Sequence, residues 1–226
     1  MTLSLDEVIA RIDSILNGYR FATTNLASNA LPSPVRRGKL YEAWTLSTLI
    51  DAFGRRGLGV KRPSSSIMDL KTFGGPIDRR YPHFDVTSSR GQTWELWTDI
   101  YFLTLSHALR GNPCQYIRSD FHELDIVAVR PGTAGMPRHD EIAFAVSCKD
   151  TRFKKVVLRE TLGFRFELGF HPGIVSRPLP HPLLSPPKVS AGRLYAYSTD
   201  RAVLDFQQTG NVLGIRFAHL GWPWSV

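Results

Sequence analysis

Two apolar runs in this chain each carry one charged residue where charge is costly. Asp125 interrupts Leu124-Asp125-Ile126-Val127-Ala128-Val129, and Lys149 closes Ile142-Ala143-Phe144-Ala145-Val146-Ser147-Cys148-Lys149. The turn-rich residues 131–140 between them predict an antiparallel hairpin. A turn centred near Met136 sets Asp125 close to Ser147 and Lys149. Ser147 and Lys149 share one face, because side chains alternate along a strand. An unpaired carboxylate and ammonium at the ends of two buried strands would each be expensive. The pair is therefore either a partly buried salt bridge or an active site.

Two more carboxylates fit the active site. Glu42 lies at i−4 from Leu46, on the apolar face (Leu46, Leu49, Ile50, Phe53) of a helix expected over residues 39–56. Glu160 lies in the middle of the face formed by Phe153, Val156, Val157 and Phe164, on a helix expected over residues 153–168. The chain has only seven Glu, and these two point toward the core on helices flanking the hairpin. One snorkelling Glu at a helix edge is ordinary. Two of them converging on an Asp–Lys hairpin suggest a metal-binding acidic cluster. Competing motifs are absent. Gly38-Lys39 has no upstream Gly at P-loop spacing, His122-Glu123 lacks a second His four residues on, and there is neither a CxxC pair nor a Gly-x-Ser-x-Gly elbow. The seven His are scattered and read as ordinary surface or loop residues.

The elements that must position these residues follow from periodicity and punctuation. A helix is expected from Leu5 to about Ala22 with Ser4 as N-cap, followed by a Pro-containing connector to residue 37. Residues 63–82, rich in Ser, Gly, Pro and Arg, read as a loop insertion. So do residues 171–187, which contain six prolines. Strands are expected at 84–87 and 94–105. The tail reads as strand 193–198, helix 200–208 capped by Gly210, and strand 212–219. This order makes one mixed α/β domain over residues 1–226, with residues 1–37 as an N-terminal helical extension.

The composition is that of an ordinary globular protein, 42% hydrophobic and 21% charged. Two cysteines without a secretory signal pattern point to a reducing, cytoplasmic setting. No apolar run approaches the roughly 18 residues of a membrane span. The net charge of +8 suits a polyanionic partner such as DNA. Among the 28 basic residues 21 are Arg, the residue suited to bidentate phosphate contacts.

A helix with Glu42, a strand with Asp125, a hairpin strand ending in Lys149, then a helix and a strand–helix–strand tail together resemble the PD-(D/E)xK nuclease superfamily. Leu194-Tyr195-Ala196-Tyr197-Ser198-Thr199-Asp200 before a helix, and Gly214-Ile215-Arg216-Phe217 after it, are similar to the end of Mrr-like restriction endonucleases. The resemblance covers roughly residues 38–57 and 120–220. It implies a restriction endonuclease-like mixed sheet flanked by helices, and a Mg²⁺-dependent DNA endonuclease (Mn²⁺ a substitute) of restriction or phage-defence type. It also implies a homodimer. The acid expected two residues before the lysine is Ser147 here. A subgroup with Ser-x-Lys takes its second acid from the following helix, where Glu160 is the counterpart, about one turn early. Glu42 matches a helix glutamate of resolvase-like members. The implied roles are Asp125 with Glu160 or Glu42 as metal ligands, Lys149 as the group that orients the attacking water, and Ser147 in support. The departure at Ser147 also admits a catalytically inactive nuclease-fold module that binds DNA or a partner protein.

Overall fold

The computed structural model describes residues 3–19, 37–63, 65, 69–111, 115–168 and 194–223. The connector after the first helix, Cys114 and the proline-rich residues 171–187 lie outside the described residues. Helix α1 (Leu5–Gly18) starts at Ser4, whose side chain accepts from the Glu7 N–H while the Glu7 carboxylate accepts from the Ser4 N–H. Helix α2 (Arg37–Arg55) follows. Strands β1 (Gly59–Lys61), β2 (Phe84–Thr87) and β3 (Thr93–Leu103) lead to a short helix α3 (Leu105–Leu109). The hairpin expected from the sequence is β4 (Phe121–Val129) and β5 (Ile142–Lys149). Helix α4 (Lys155–Glu167), β6 (Leu194–Ser198), a 3-10 turn, α5 (Gln207–Leu213) and β7 (Ile215–His219) complete the chain.

All seven strands form one sheet in sequence order. β1 to β5 run antiparallel, and β5, β6 and β7 run parallel. The protein is therefore a mixed α/β fold with helices on both faces of a mixed sheet. Parallel neighbours need crossover connections, and α4 and α5 lie in the two crossovers. One core lies between the sheet and α1–α2, where Val8, Ile12 and Leu16 join Leu46, Leu49, Ile50 and Phe53. The N-terminal helix is thus part of the core. The other core lies under α4 and the tail, around Trp97, Phe102, Phe153 and Phe217. Among the described residues no helix is long and apolar enough to cross a membrane.

Several local expectations are corrected. Helix α4 begins at Lys155, leaving Phe153 buried before it. Its inward residues are Val157, Thr161 and the flanking Leu168, while Val156 is 64% exposed. Adjacent Val156 and Val157 allowed two apolar faces, and packing selected the second, which turns Glu160 away from the core. Gly210 is inside α5, and Gly214 is the left-handed cap at φ +76°. A Cβ on Gly210 would lie 2.5 Å from the Phe217 ring, so Gly210 allows close approach there. His83, His107 and His139 are buried, contrary to the surface reading.

Candidate active site

Asp125 and Lys149 come together at the end of the β4–β5 pair. The ladder Ile126–Val146 continues the register that sets Asp125 opposite Ser147, as the turn position predicts. The Asp125 carboxylate accepts from the Cys148 backbone N–H at 2.6 Å. Burial raises the Asp125 pKa, opposed by that N–H and by Lys149 and Lys39. Burial also works against the Lys149 ammonium. Its bond to Glu160 and the nearby Asp125 outweigh burial and raise its pKa. The Ser147 hydroxyl is buried without a hydrogen-bond partner.

The carboxylates that interact electrostatically with Asp125 were only partly foreseen. Glu42 reaches the site from α2 with its side chain 14% exposed. Burial, then repulsion from Asp125 and Asp99, pushes it up to about 8 against the pull of Lys39. Asp99, which the sequence reading missed, lies on β3 opposite Asp125. It is buried and is pushed up to about 7 by burial, against Lys39 and with the adjacent Glu123 and Asp125 raising it. Lys39 Nζ donates to Glu42 at 2.8 Å and to Asp99 Oδ1. The other Asp99 oxygen, Oδ2, is buried with no donor in reach. Glu160, by contrast, meets the cluster through Lys149, to which it bonds at 2.8 Å, and its side chain is 44% exposed.

The reason Asp99 faces the cluster is a break in strand alternation. Trp94 and Leu96 pack in the α2-side core, yet Ile100 and Phe102, at the same even spacing, pack in the opposite one. β4 changes face at the matching place without a change of register, with Leu124 on the α4 side and Ile126 and Ala128 on the α2 side. Asp99 has φ +54°, and among the described residues it is the one non-glycine with positive φ. Asp tolerates this conformation at a cost of order 1 kcal/mol, and such strain concentrates at functional sites. A carboxylate inside the apolar strand Trp94–Leu103 was the available signal, the same one that singled out Asp125. Glu123, two residues before Asp125, was a second.

The cluster carries an excess of acids over ammonium groups. Five carboxylates (Glu42, Asp99, Glu123, Asp125, Glu160) face three ammonium groups (Lys39, Lys71, Lys149). A cavity of about 10 Å³ beside Lys39, Glu42, Lys71 and Asp99 has room for one water-sized group. Oxygen-only ligands suit a hard divalent ion, and one or two carboxylates suffice for Mg²⁺ with water and phosphate. Among the described residues the one group of three whose ligand atoms already lie within 4.8 Å of one another is elsewhere: His83, Asp85 and Glu95. Both Glu95 oxygens there accept from Arg79, and Gly132 N–H and Trp97 Nε1 add to them. A metal would have to displace that guanidinium from Glu95, although His83 Nδ1 in the same group is buried without a partner.

The loop expected over residues 63–82 has no helix or strand among its described residues after Lys61 and before Phe84. It is held firmly. Tyr101 N–H donates to Gly75 O at 2.8 Å, and Ile77 N–H to Gly135 O at 2.6 Å. A Cβ on Gly74 would lie 2.1 Å from the Tyr101 ring and 2.5 Å from Glu123 Oε2, so the loop lies directly on the acidic cluster. Its basic residues are committed internally: Arg79 to Glu95, Arg80 to Asp78, and Lys71 to Pro76 O. No family model matches this chain, and no curated protein or solved structure matches it.

Proposed function

We propose that this protein is a metal-dependent DNA endonuclease that hydrolyses phosphodiester bonds, of restriction or phage-defence type. The observation that carries the reading is the convergence of Glu42, Asp99 and Asp125 beside Lys149, with the first two pushed to about 8 and 7. Buried acids this close repel one another, and a divalent cation relieves both the repulsion and the lost hydration. The antiparallel β3–β4–β5 meander, the parallel β6 after α4, and Glu42 on the helix before the sheet also agree with the PD-(D/E)xK resemblance.

In this reading Asp125 holds the metal with Glu42 or Asp99, in place of the Glu160 that the resemblance favours. Mg²⁺, or Mn²⁺ as substitute, would neutralise charge at the scissile phosphate and lower the pKa of water. Lys149 orients the attacking water and offsets charge on the phosphoryl oxygens in the transition state. Glu160 positions the Lys149 ammonium. The unpartnered Ser147 hydroxyl lies on the Lys149 strand and holds a water for the same step. Lys39 stands between Glu42 and Asp99 and must yield part of that place to a cation. The net charge of +8 supports attraction to DNA. Cleavage of both strands would call for a homodimer, and a cytoplasmic location suits such a substrate.

A second reading, the inactive DNA- or protein-binding module, draws on that same Lys39, because an internal ammonium already neutralises two of the acids. Incubation with plasmid DNA and Mg²⁺ or Mn²⁺, with EDTA as control, separates them. Metal-dependent nicking or linearisation is expected. Its absence over a range of sequences and metal concentrations leaves the binding module.

A further inference from the structure

Beside the acidic cluster, on the other side of the Gly74–Gly75 backbone, lies a second concavity of about 220 Å³ lined by Lys71, Phe73, Gly74, Gly75, Asp78 and Tyr81. Phe73 is 74% exposed, an unusual position for a phenyl ring in a segment otherwise tied to the sheet. We propose that this pocket receives one unstacked nucleobase of the DNA whose neighbouring phosphate lies at the acidic cluster. This inference rests on the nuclease reading and adds the substrate's base to its phosphate.

Three features select a base over other occupants. The volume is below the roughly 300–1,000 Å³ of pockets that hold drug-sized ligands, so it suits a single small ring system. Two aromatic side chains, Phe73 and Tyr81, offer faces for stacking, which every base accepts. A phosphate is disfavoured because Asp78 is ionised, held down to about 2 by its hydrogen bonds from Arg80. Its negative charge at the pocket wall instead attracts the amino edge of a base, even with both oxygens shared with Arg80. The two sites share one wall. Lys71 lines both cavities, and Gly74 touches Glu123 on one side and the pocket on the other. A nucleotide at the cluster therefore has its adjacent base within reach of Phe73. The anchors Tyr101 N–H to Gly75 O and Ile77 N–H to Gly135 O keep the pocket formed before DNA arrives.

The test is equilibrium binding of the full chain to DNA strands of mixed sequence, single and double, with Ca²⁺ replacing Mg²⁺ so that the strands stay uncut. Phe73→Ala leaves the melting temperature unchanged, because the ring is exposed, and weakens binding about 5- to 150-fold, the loss of one stacked base. An abasic nucleotide moved stepwise along the strand then locates the base. At one position it weakens the wild type and costs Phe73→Ala nothing further. Unchanged affinity in Phe73→Ala, or a loss that no abasic position removes, overturns the pocket assignment. If the same preparation still cuts plasmid with Mg²⁺, the nuclease reading survives that result. A wild-type protein that neither binds nor cuts any DNA removes both.

Discussion

Replacing Glu42 by Gln should change how stability depends on pH, with a sign that follows from the buried acids. Glu42 has a folded pKa of about 8 and Asp99 of about 7, both above their ordinary values of 4.5 and 3.8. A group whose folded pKa is raised contributes stability that is fully present below its unfolded pKa and is lost as pH rises through the folded one. The metal-free protein should therefore lose stability from this cluster between about pH 3.8 and 8 as pH rises. One proton taken up on folding corresponds to about 1.4 kcal/mol per pH unit. For a chain of this size that is about 3–5 °C of melting temperature per unit. His83 and His139, both lowered by burial, act in the opposite direction, because the unfolded chain then binds more protons. The difference between wild type and Glu42→Gln cancels that background. Thermal melts in EDTA at half-unit steps from pH 5.5 to 8.5 should show the variant's curve flatter than the wild type's by up to this amount. Saturating Mg²⁺ should flatten the wild-type curve too, since a metal holds the carboxylates ionised, and should stabilise most at high pH. Parallel melting curves for the two proteins in EDTA would refute the account of Glu42 as a buried, protonated member of the cluster.

Lys149→Ala should abolish metal-dependent plasmid cleavage and leave DNA affinity nearly unchanged, because many Arg contacts carry binding; wild-type rates would remove Lys149 from the chemistry. Asp99→Asn and Asp125→Asn should each reduce cleavage by at least about 100-fold, whereas Glu160→Ala, which touches the site only through Lys149, should cost under about 10-fold. The reverse ranking in single-turnover assays would return Glu160 to the metal. Arg79→Glu should destabilise the protein by about 1–3 kcal/mol, because it leaves Glu95, 7% exposed at its side chain, facing a like charge. The 46% exposure of Arg79 and the Trp97 and Gly132 donors soften the loss. Chemical denaturation that shows no loss would contradict the Arg79–Glu95 pairing and reopen Arg79 as a DNA-binding residue.

Local chemistry made much of this protein legible from sequence. The β4–β5 hairpin and its register followed from two apolar runs of nearly equal length around a turn, which centre the pairing near Met136. Ser4 with Glu7 marked the start of α1, and Leu46, Leu49, Ile50 and Phe53 oriented α2, bringing Glu42 to the sheet. Asp125 and Lys149 stood out because a charge in an apolar strand needs a partner. The tertiary structure decided the rest. On α4 the adjacent Val156 and Val157 left the helix two ways to face the core, and only contact with the sheet turned Glu160 outward. His83 is buried by stacking on Trp97, which the pairing of β2 with β3 brings opposite it. Asp99 is the plainest case. Regular alternation would put its side chain on the α4 side with Trp97. The matched break in alternation at Asp99 and Asp125 reverses that, with Asp99 at φ +54°. Pattern reading assigns faces by a period of two, and a site built on a break in that period is visible only once the strands are paired.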